Sequence, residues 1–248
     1  MKKYIVLAAL LVATMACKEV KSQTNKEALG IVKGSQTQIT KKQEEINSKT
    51  PSKYAFEYKI TEEAEANGEK IDIHYMVKPK ATYFGMVMVL SKKDFIKNSI
   101  TIMDIGRNKS ITLINRKDNK VLRVIDIPEV KEDANQHISI VRTNTKNILG
   151  YACQGYKIST NDGTNTLYIT QDASFGFNRG FGSTSKVSLK GKGIDAATIE
   201  ELENGLMMES EFKSNENNPS VIDSKMRVKE ITKLSFTVDL SEYKTLGS

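Results

Sequence analysis

From Tyr54 onward, apolar and polar residues alternate over most of the chain, which is the spacing of strands with one face buried. Tyr54, Phe56 and Tyr58 alternate with Ala55, Glu57 and Lys59. After the turn pair Asn67-Gly68, Ile71, Ile73, Tyr75 and Val77 alternate with Asp72, His74 and Met76 until Pro79 ends the run, so the two segments predict a hairpin. Residues 82–90 are nearly all apolar, as in a strand covered on both faces or facing a cavity. Residues 99–105, 110–116 and 120–127 predict a meander punctuated by Gly106, Asn108 and Asp118-Asn119 and stopped by Pro128. Residues 137–141 predict a short strand.

Residues 148–170 carry the strongest pattern. On the arm 152–160, Ala152, Gln154, Tyr156 and Ile158 share the face toward a core, and Cys153, Gly155, Lys157 and Ser159 point away. Asn161-Asp162-Gly163 tolerates positive φ and predicts a three- or four-residue turn, after which residues 166–170 return as the partner strand. Beyond Thr170 the period is lost. Residues 174–182 form a Gly-aromatic loop, with Phe175, Phe177 and Phe181 expected at the rim of a cavity or packed within a structural loop. Asp195 caps a predicted helix over 196–204, with Glu200, Glu201 and Glu203 exposed and Gly205 ending it. Residues 206–213 and 222–238 return to strand. About ten strands with one or two helices imply a mainly β, antiparallel fold over residues 53–248.

Leu149-Gly150-Tyr151-Ala152-Cys153-Gln154-Gly155-Tyr156 resembles the L-G-Y-x-C-x-x-Y signature of the domain of unknown function 4412 family, found in secreted proteins and lipoproteins of Bacteroidota. The motif positions are Leu149, Gly150, Tyr151, Cys153 and Tyr156. The likeness extends to Asp162-Gly163-Thr164 and, more loosely, to residues 83–86 and 102–104, with Tyr168 where members often carry Trp. The family has no established activity. Its members are similar in pattern to periplasmic lipoprotein carriers, which implies a single antiparallel sheet curled into a half-barrel around a lipid-sized cavity.

The first residues add an address. Lys2 and Lys3 precede an apolar run over 4–13, too short to span a bilayer, and small residues lead to Cys17, so residues 1–16 read as a lipoprotein signal peptide. Cys17 is the expected lipidation site, although Thr14 replaces the usual Leu of that motif. Residues 17–52 are polar and aperiodic, a flexible tether. The expected location is the outer membrane, on its periplasmic face or at the cell surface. Lipidation of Cys17 leaves Cys153 as a single buried thiol with no disulfide. Without Lys2 and Lys3, 35 basic residues face 30 acidic ones, and the charges are interspersed. This argues for a soluble surface with mild affinity for anionic lipid and against nucleic acid, which wants a denser basic patch.

Candidate chemistry is sparse. His74 and His137 are the only histidines and have no metal-ligand spacing around them, so no metal and no cofactor are expected. The acid pairs Glu44-Glu45, Glu62-Glu63 and Glu200-Glu201 fall on tether, loop and helix, where solvated charge is the default. No Ser-His-Asp order, phosphate loop or dinucleotide fingerprint is present. These readings point away from an enzyme. Seven methionines remain after the leader, namely Met76, Met86, Met88, Met103, Met207, Met208 and Met226, all in predicted strands. They suit either a lipophilic cavity or ordinary core filling. Phe84, Met86, Met88 and Met103 are the expected lining of such a cavity. The expectation is therefore an envelope lipoprotein that binds a lipid or other apolar ligand; the alternative is a structural module binding another envelope protein, with its interior filled.

Overall fold

The computed structural model describes residues 50–88, 98–115, 119–127, 137–173, 193–215 and 221–245. Twelve strands form a single open sheet: β1 (Lys53–Ala66), β2 (Glu69–Val77), β3 (Tyr83–Met88), β4 (Asn98–Asp104), β5 (Lys109–Asn115), β6 (Lys120–Asp126), β7 (Ile138–Ile148), β8 (Tyr151–Thr160), β9 (Gly163–Thr170), β10 (Leu206–Ser214), β11 (Ser224–Asp239) and β12 (Lys244–Thr245). A helix, α1 (Ala196–Asn204), precedes β10. The spatial order is β12-β6-β5-β4-β3-β2-β1-β11-β10-β9-β8-β7, antiparallel throughout except where β12 runs parallel to β6. The fold is thus mainly β, as expected, with β7 much longer than residues 137–141 and a terminal strand, β12, that no alternation announced.

Chain connectivity requires the sheet to curl. Laid flat, the seven strand spacings between β11 and β12 would separate them by about 33 Å. Only five residue steps join Asp239 to Lys244, a reach of at most about 18 Å. The short 3₁₀ turn Leu240–Glu242 makes this crossing, with Asp239 accepting from the Ser241 amide at 3.0 Å and Leu240 N–H bonding Ser52 O at 2.7 Å. Lys120 on β6 bonds Glu242 at 2.5 Å and lies over the Tyr243 ring. The half-barrel is bridged on this side by its own C-terminal segment.

Two large cores result, on opposite faces of the sheet. Ile73, Tyr75 and Val77 of β2 belong to one, and Met76 between them belongs to the other. The face carrying Met76 is the inside of the curl: Tyr54, Phe56, Ile102, Ile111, Leu113 and Val124 are buried there. A Cβ at Gly85 would lie 2.7 Å from Met76 Cε and 3.2 Å from Phe56 Cζ, so this interior is filled with side chains. The opposite face gathers Ile60, Ala64, Ile73, Tyr75, Met226 and Val228, with Leu206 and Met208 of β10 and Ile148 and Cys153 of the β7–β8 hairpin.

The alternation Tyr54, Phe56, Tyr58 therefore misleads. Tyr54 and Phe56 pack inside the curl, whereas Tyr58 joins the other core, because a register shift between Phe56 and Tyr58 inserts a bulge that turns the strand over. Glu62-Glu63 is likewise in β1 and not in a loop.

The helix forms as its cap predicts: Asp195 accepts from the Thr198 amide at 2.8 Å and the Thr198 hydroxyl at 2.7 Å. Its Leu202 packs on Tyr156, Leu167 and Ile169. Glu203 is buried and Glu201 is engaged, so of the three acids expected in solvent only Glu200 stands clear.

Candidate functional site

Strand pairing lines residues up across the sheet, and on the face outside the curl it produces three consecutive rows. The first runs Lys233, Tyr58, Val77, Phe84, Met103 across β11, β1, β2, β3 and β4. The second runs Ile231, Ile60, Tyr75, Met86, Thr101, and the third Val228, Glu62, Ile73, Met88, Ser99. Each row crosses four strand spacings, about 19 Å. Past β4 the rows continue on β5 and β6 as Ser110 and Ile125, Thr112 and Arg123, and Ile114 and Val121. The buried part of this face runs from β2 through β1 and β11 to β10 and the β7–β8 hairpin.

Phe84, Met86 and Met103 are half-buried, and Phe84 and Met86 rest against the buried core beneath. Phe84 meets Tyr75 edge-on, ring centroids 6.4 Å apart. Where the register between β1 and β11 shifts beside the first row, Glu57, Tyr58, Lys233, Leu234 and Ser235 line a groove of about 440 Å³. Phe84, Met86 and Met103 share one face of the sheet, the face outside the curl. The backbone of Met88 lies in register beside them, and its side chain is outside the described set. Phe175, Phe177 and Phe181, like Cys17 and Glu44-Glu45, also lie outside the described residues.

The polar residue of this face was missed. Glu62 is 1% exposed, and neither of its carboxyl oxygens has a hydrogen-bond partner. Burial alone pushes its pKa up to about 8, so the protonated form is favoured at neutral pH. Tyr75 nearby is driven well above its ordinary value, first by burial and then by the Glu62 charge. The signal that could have found Glu62 was parity: it sits in step with Ile60 and Ala64.

The motif residues have structural work. Leu149 and Gly150 both adopt positive φ, +53° and +87°, which makes the tight hairpin turn that favours Gly at its second position. Leu149 itself is half exposed. Tyr151 and Cys153 then enter the large outer core, while Tyr156 belongs to the small core under α1. Tyr156 donates its hydroxyl to Glu201, which Arg142 also holds at 2.6 Å. Burial, then Glu201, raises the Tyr156 pKa. The motif thus stitches two cores and the helix together.

Two assignments on this hairpin are corrected. Cys153 is 1% exposed and Ala152 is exposed, the reverse of the expected faces, because the start of β8 is covered on the side of Tyr151 and Cys153 by the large core, whereas Tyr156 and Ile158 are covered on the other side by the small core at α1. The turn at 161–162 is a two-residue loop with no positive φ. Gly163 is required for space, since a Cβ there would strike the Lys213 carbonyl of β10.

Burial raises the Cys153 pKa, and its thiol lies 3.4 Å from Tyr151 O as a donor. His74 bonds Thr61 at 3.2 Å, on the face opposite Ile73 and Tyr75. His137 is exposed just before β7. Nothing in this arrangement activates the thiol.

The family model for a domain of unknown function, DUF4412, matches residues 56–232. The chain belongs to this family. Its signature hairpin is the β7–β8 turn just described. No curated protein matches the sequence. Among solved structures, PNGF-II is 16% identical with a TM-score of 0.41, covering 77% of this chain and 30% of its own, so this chain spans under a third of that protein. An uncharacterized conserved protein from Thermus thermophilus is 10% identical with a TM-score of 0.40, covering 84% and 92%. MucB, crystallised in complex with MucA, is 9% identical with a TM-score of 0.38, covering 77% and 55%. At these scores the likenesses do not bear on function.

Proposed function

We propose that this DUF4412 protein is an exported, lipid-anchored envelope protein that binds a lipid or another apolar molecule without chemical conversion. The observation that carries this reading is the set of three apolar rows around Tyr75, with Phe84, Met86 and Met103 half-buried beside the Tyr58 groove. Burying such side chains against an apolar ligand is worth about 25 cal/mol per Å² removed from water. Methionine adapts to chains of varied shape. The leader over residues 1–16, followed directly by Cys17, supports delivery to the outer membrane.

A second reading has its own support. The inside of the curl, where a carrier would keep its cavity, is filled where Met76 meets Phe56. That favours a module whose outer apolar face receives another envelope protein.

Native mass spectrometry of the full chain purified from an envelope-containing host, with lipid extraction, separates the two. A co-purifying lipid that is lost on Met86→Arg supports ligand binding. A clean apo mass with no uptake of offered lipids moves the assignment to protein binding.

A further inference from the structure

The sheet ends at β7, and this edge is protected along only half its length. Thr143 and Asn144 of β7 stand against the single Gly155 of β8, which makes a bulge. The Thr143 carbonyl there accepts from Gln154 at 2.8 Å, and Asn144 Oδ1 accepts from the Tyr168 hydroxyl at 3.3 Å. Lys146 follows, bonded to Glu209 and held over the Tyr168 ring. Bulges and lysines are devices that keep an open edge from pairing. Residues 138–142, before the bulge, have neither. They read Ile-Ser-Ile-Val-Arg in unbroken register with β8, and their one charge, Arg142, is already held by Glu201. No described strand pairs with their outer side.

The side chains are cut off at the same place. On one face Ile140 lies beside Ile158 and packs against the small core of Tyr156, Leu167 and Ile169, yet it is only half-buried. On the other face Val141, beside Lys157, is 58% exposed, more than any other large apolar residue among those described.

A strand added here must place an apolar residue against Ile140 and a small one against Val141. The segment itself meets that requirement. With Ile140 opposite the Ile140 of a second copy, Ser139 faces Val141 and Ile138 faces Arg142, so no like charges meet. The row Asn165, Ile158, Ile140 then runs on into the same row of the copy, and two small cores that each stop at a half-buried isoleucine become continuous. The pairing is two-fold and closed, so it uses up both edges.

We propose that residues 138–142 of β7 form a homodimer interface, joining two copies edge to edge in one continuous antiparallel sheet.

The test uses the full chain in detergent at about 10 to 500 µM, a span suited to a small interface of modest affinity. Sedimentation equilibrium should show the mass moving from one chain toward two as concentration rises. Ile140→Cys should form a disulfide-linked dimer under mild oxidation, because directly opposed Cβ atoms lie about 5 Å apart; Val141→Cys, diagonal to its copy at about 7 Å, should link far less. The wild type, with Cys17 and the buried Cys153, controls for linkage elsewhere. Val141→Lys changes an exposed position, so it should leave the melting temperature of the dilute chain unaltered while weakening dimerisation about 10-fold, by setting lysines across the seam beside Lys157. A wild type that stays monomeric throughout overturns the proposal. So does a dimer that Val141→Lys does not weaken, or one in which Val141→Cys links better than Ile140→Cys. Protection of residues 138–142 from hydrogen exchange only on adding an extended peptide of another sequence, with the wild type still monomeric, would assign the edge to a different partner and overturn it too.

Discussion

Two buried carboxyl groups, Asp104 inside the curl and Glu62 on the outer face, are 0% and 1% exposed and are treated in opposite ways. Asp104 sits at the end of β4, where the chain turns into the 3₁₀ segment Ile105–Arg107, and three donors converge on it. One of these comes from Tyr54, whose own pKa is raised by burial and by that bond. The inner face is a finished interior whose polar groups help close the curl. The outer face leaves its acid unsatisfied among apolar side chains. Equal burial thus means different things: one carboxylate holds the fold together, and the other lowers its stability.

The comparison can be broken by experiment. The largest effect expected is from pH. Unfolded Glu62 loses its proton near 4.5 and folded Glu62 only at about 8, so between these values deprotonation favours the unfolded chain. Its contribution to stability should fall by about 4–5 kcal/mol as pH rises through that window and stay level on either side. Ile73 faces it from β2, with Tyr75, which feels its charge, on the next row, while Val228 and Met226 on β11 bring no charge. Subtracting the pH profile of Glu62→Gln from that of the wild type, both from urea unfolding, isolates the slope; parallel profiles would mean Glu62 is not held neutral.

Asp104→Ala should cost about 3–5 kcal/mol, because it strands the buried Tyr54 hydroxyl and removes charge-assisted bonds. Urea midpoints would show this, and Tyr54→Phe should recover part of the loss when combined with it. Gly163→Ala should cost about 1–3 kcal/mol through the clash with the β10 backbone, read as a lower melting temperature. Arg142→Ala breaks a half-exposed ion pair with Glu201 and should cost less than about 1 kcal/mol. A large loss there would show that the helix clamp matters more than its exposure suggests.

Much of the local structure was readable in the residues. The Asn67-Gly68 and Leu149-Gly150 turns, the Asp195 cap and the alternation in β2 each depend on neighbours a few positions apart, which is what a pattern can register. The missing parts depend on distant partners. A register shift against β11, beside Glu57, changes the face of β1 by a single residue, and period-2 reasoning carried Tyr58 to the wrong core. Glu62 read as solvated, like its neighbour Glu63, because its burial is decided by β2 and β11, the latter far along the sequence. Of the candidate site, Phe84, Met86 and Met103 were visible as an apolar cluster, but the register that aligns them with Tyr58 and Glu62 was not. Gly163 was taken for a turn residue when its reason is the proximity of β10.

The pairing of β1 with β11 also has a consequence in time. Lys53 lies against Asp239 and Ala66 against Ser224, so the first of the described strands is flanked on one side by nearly the last of them. Leu240 completes the inner core, and β12 finishes the far edge only when the end of the chain arrives. Until then one edge of β1, with its row of unpaired amides and carbonyls, remains open to whatever strand it meets. A chain emerging from its N-terminus must therefore stay unfolded, or be kept from its neighbours, through most of its synthesis, and its folding rate should be set by this one late closure.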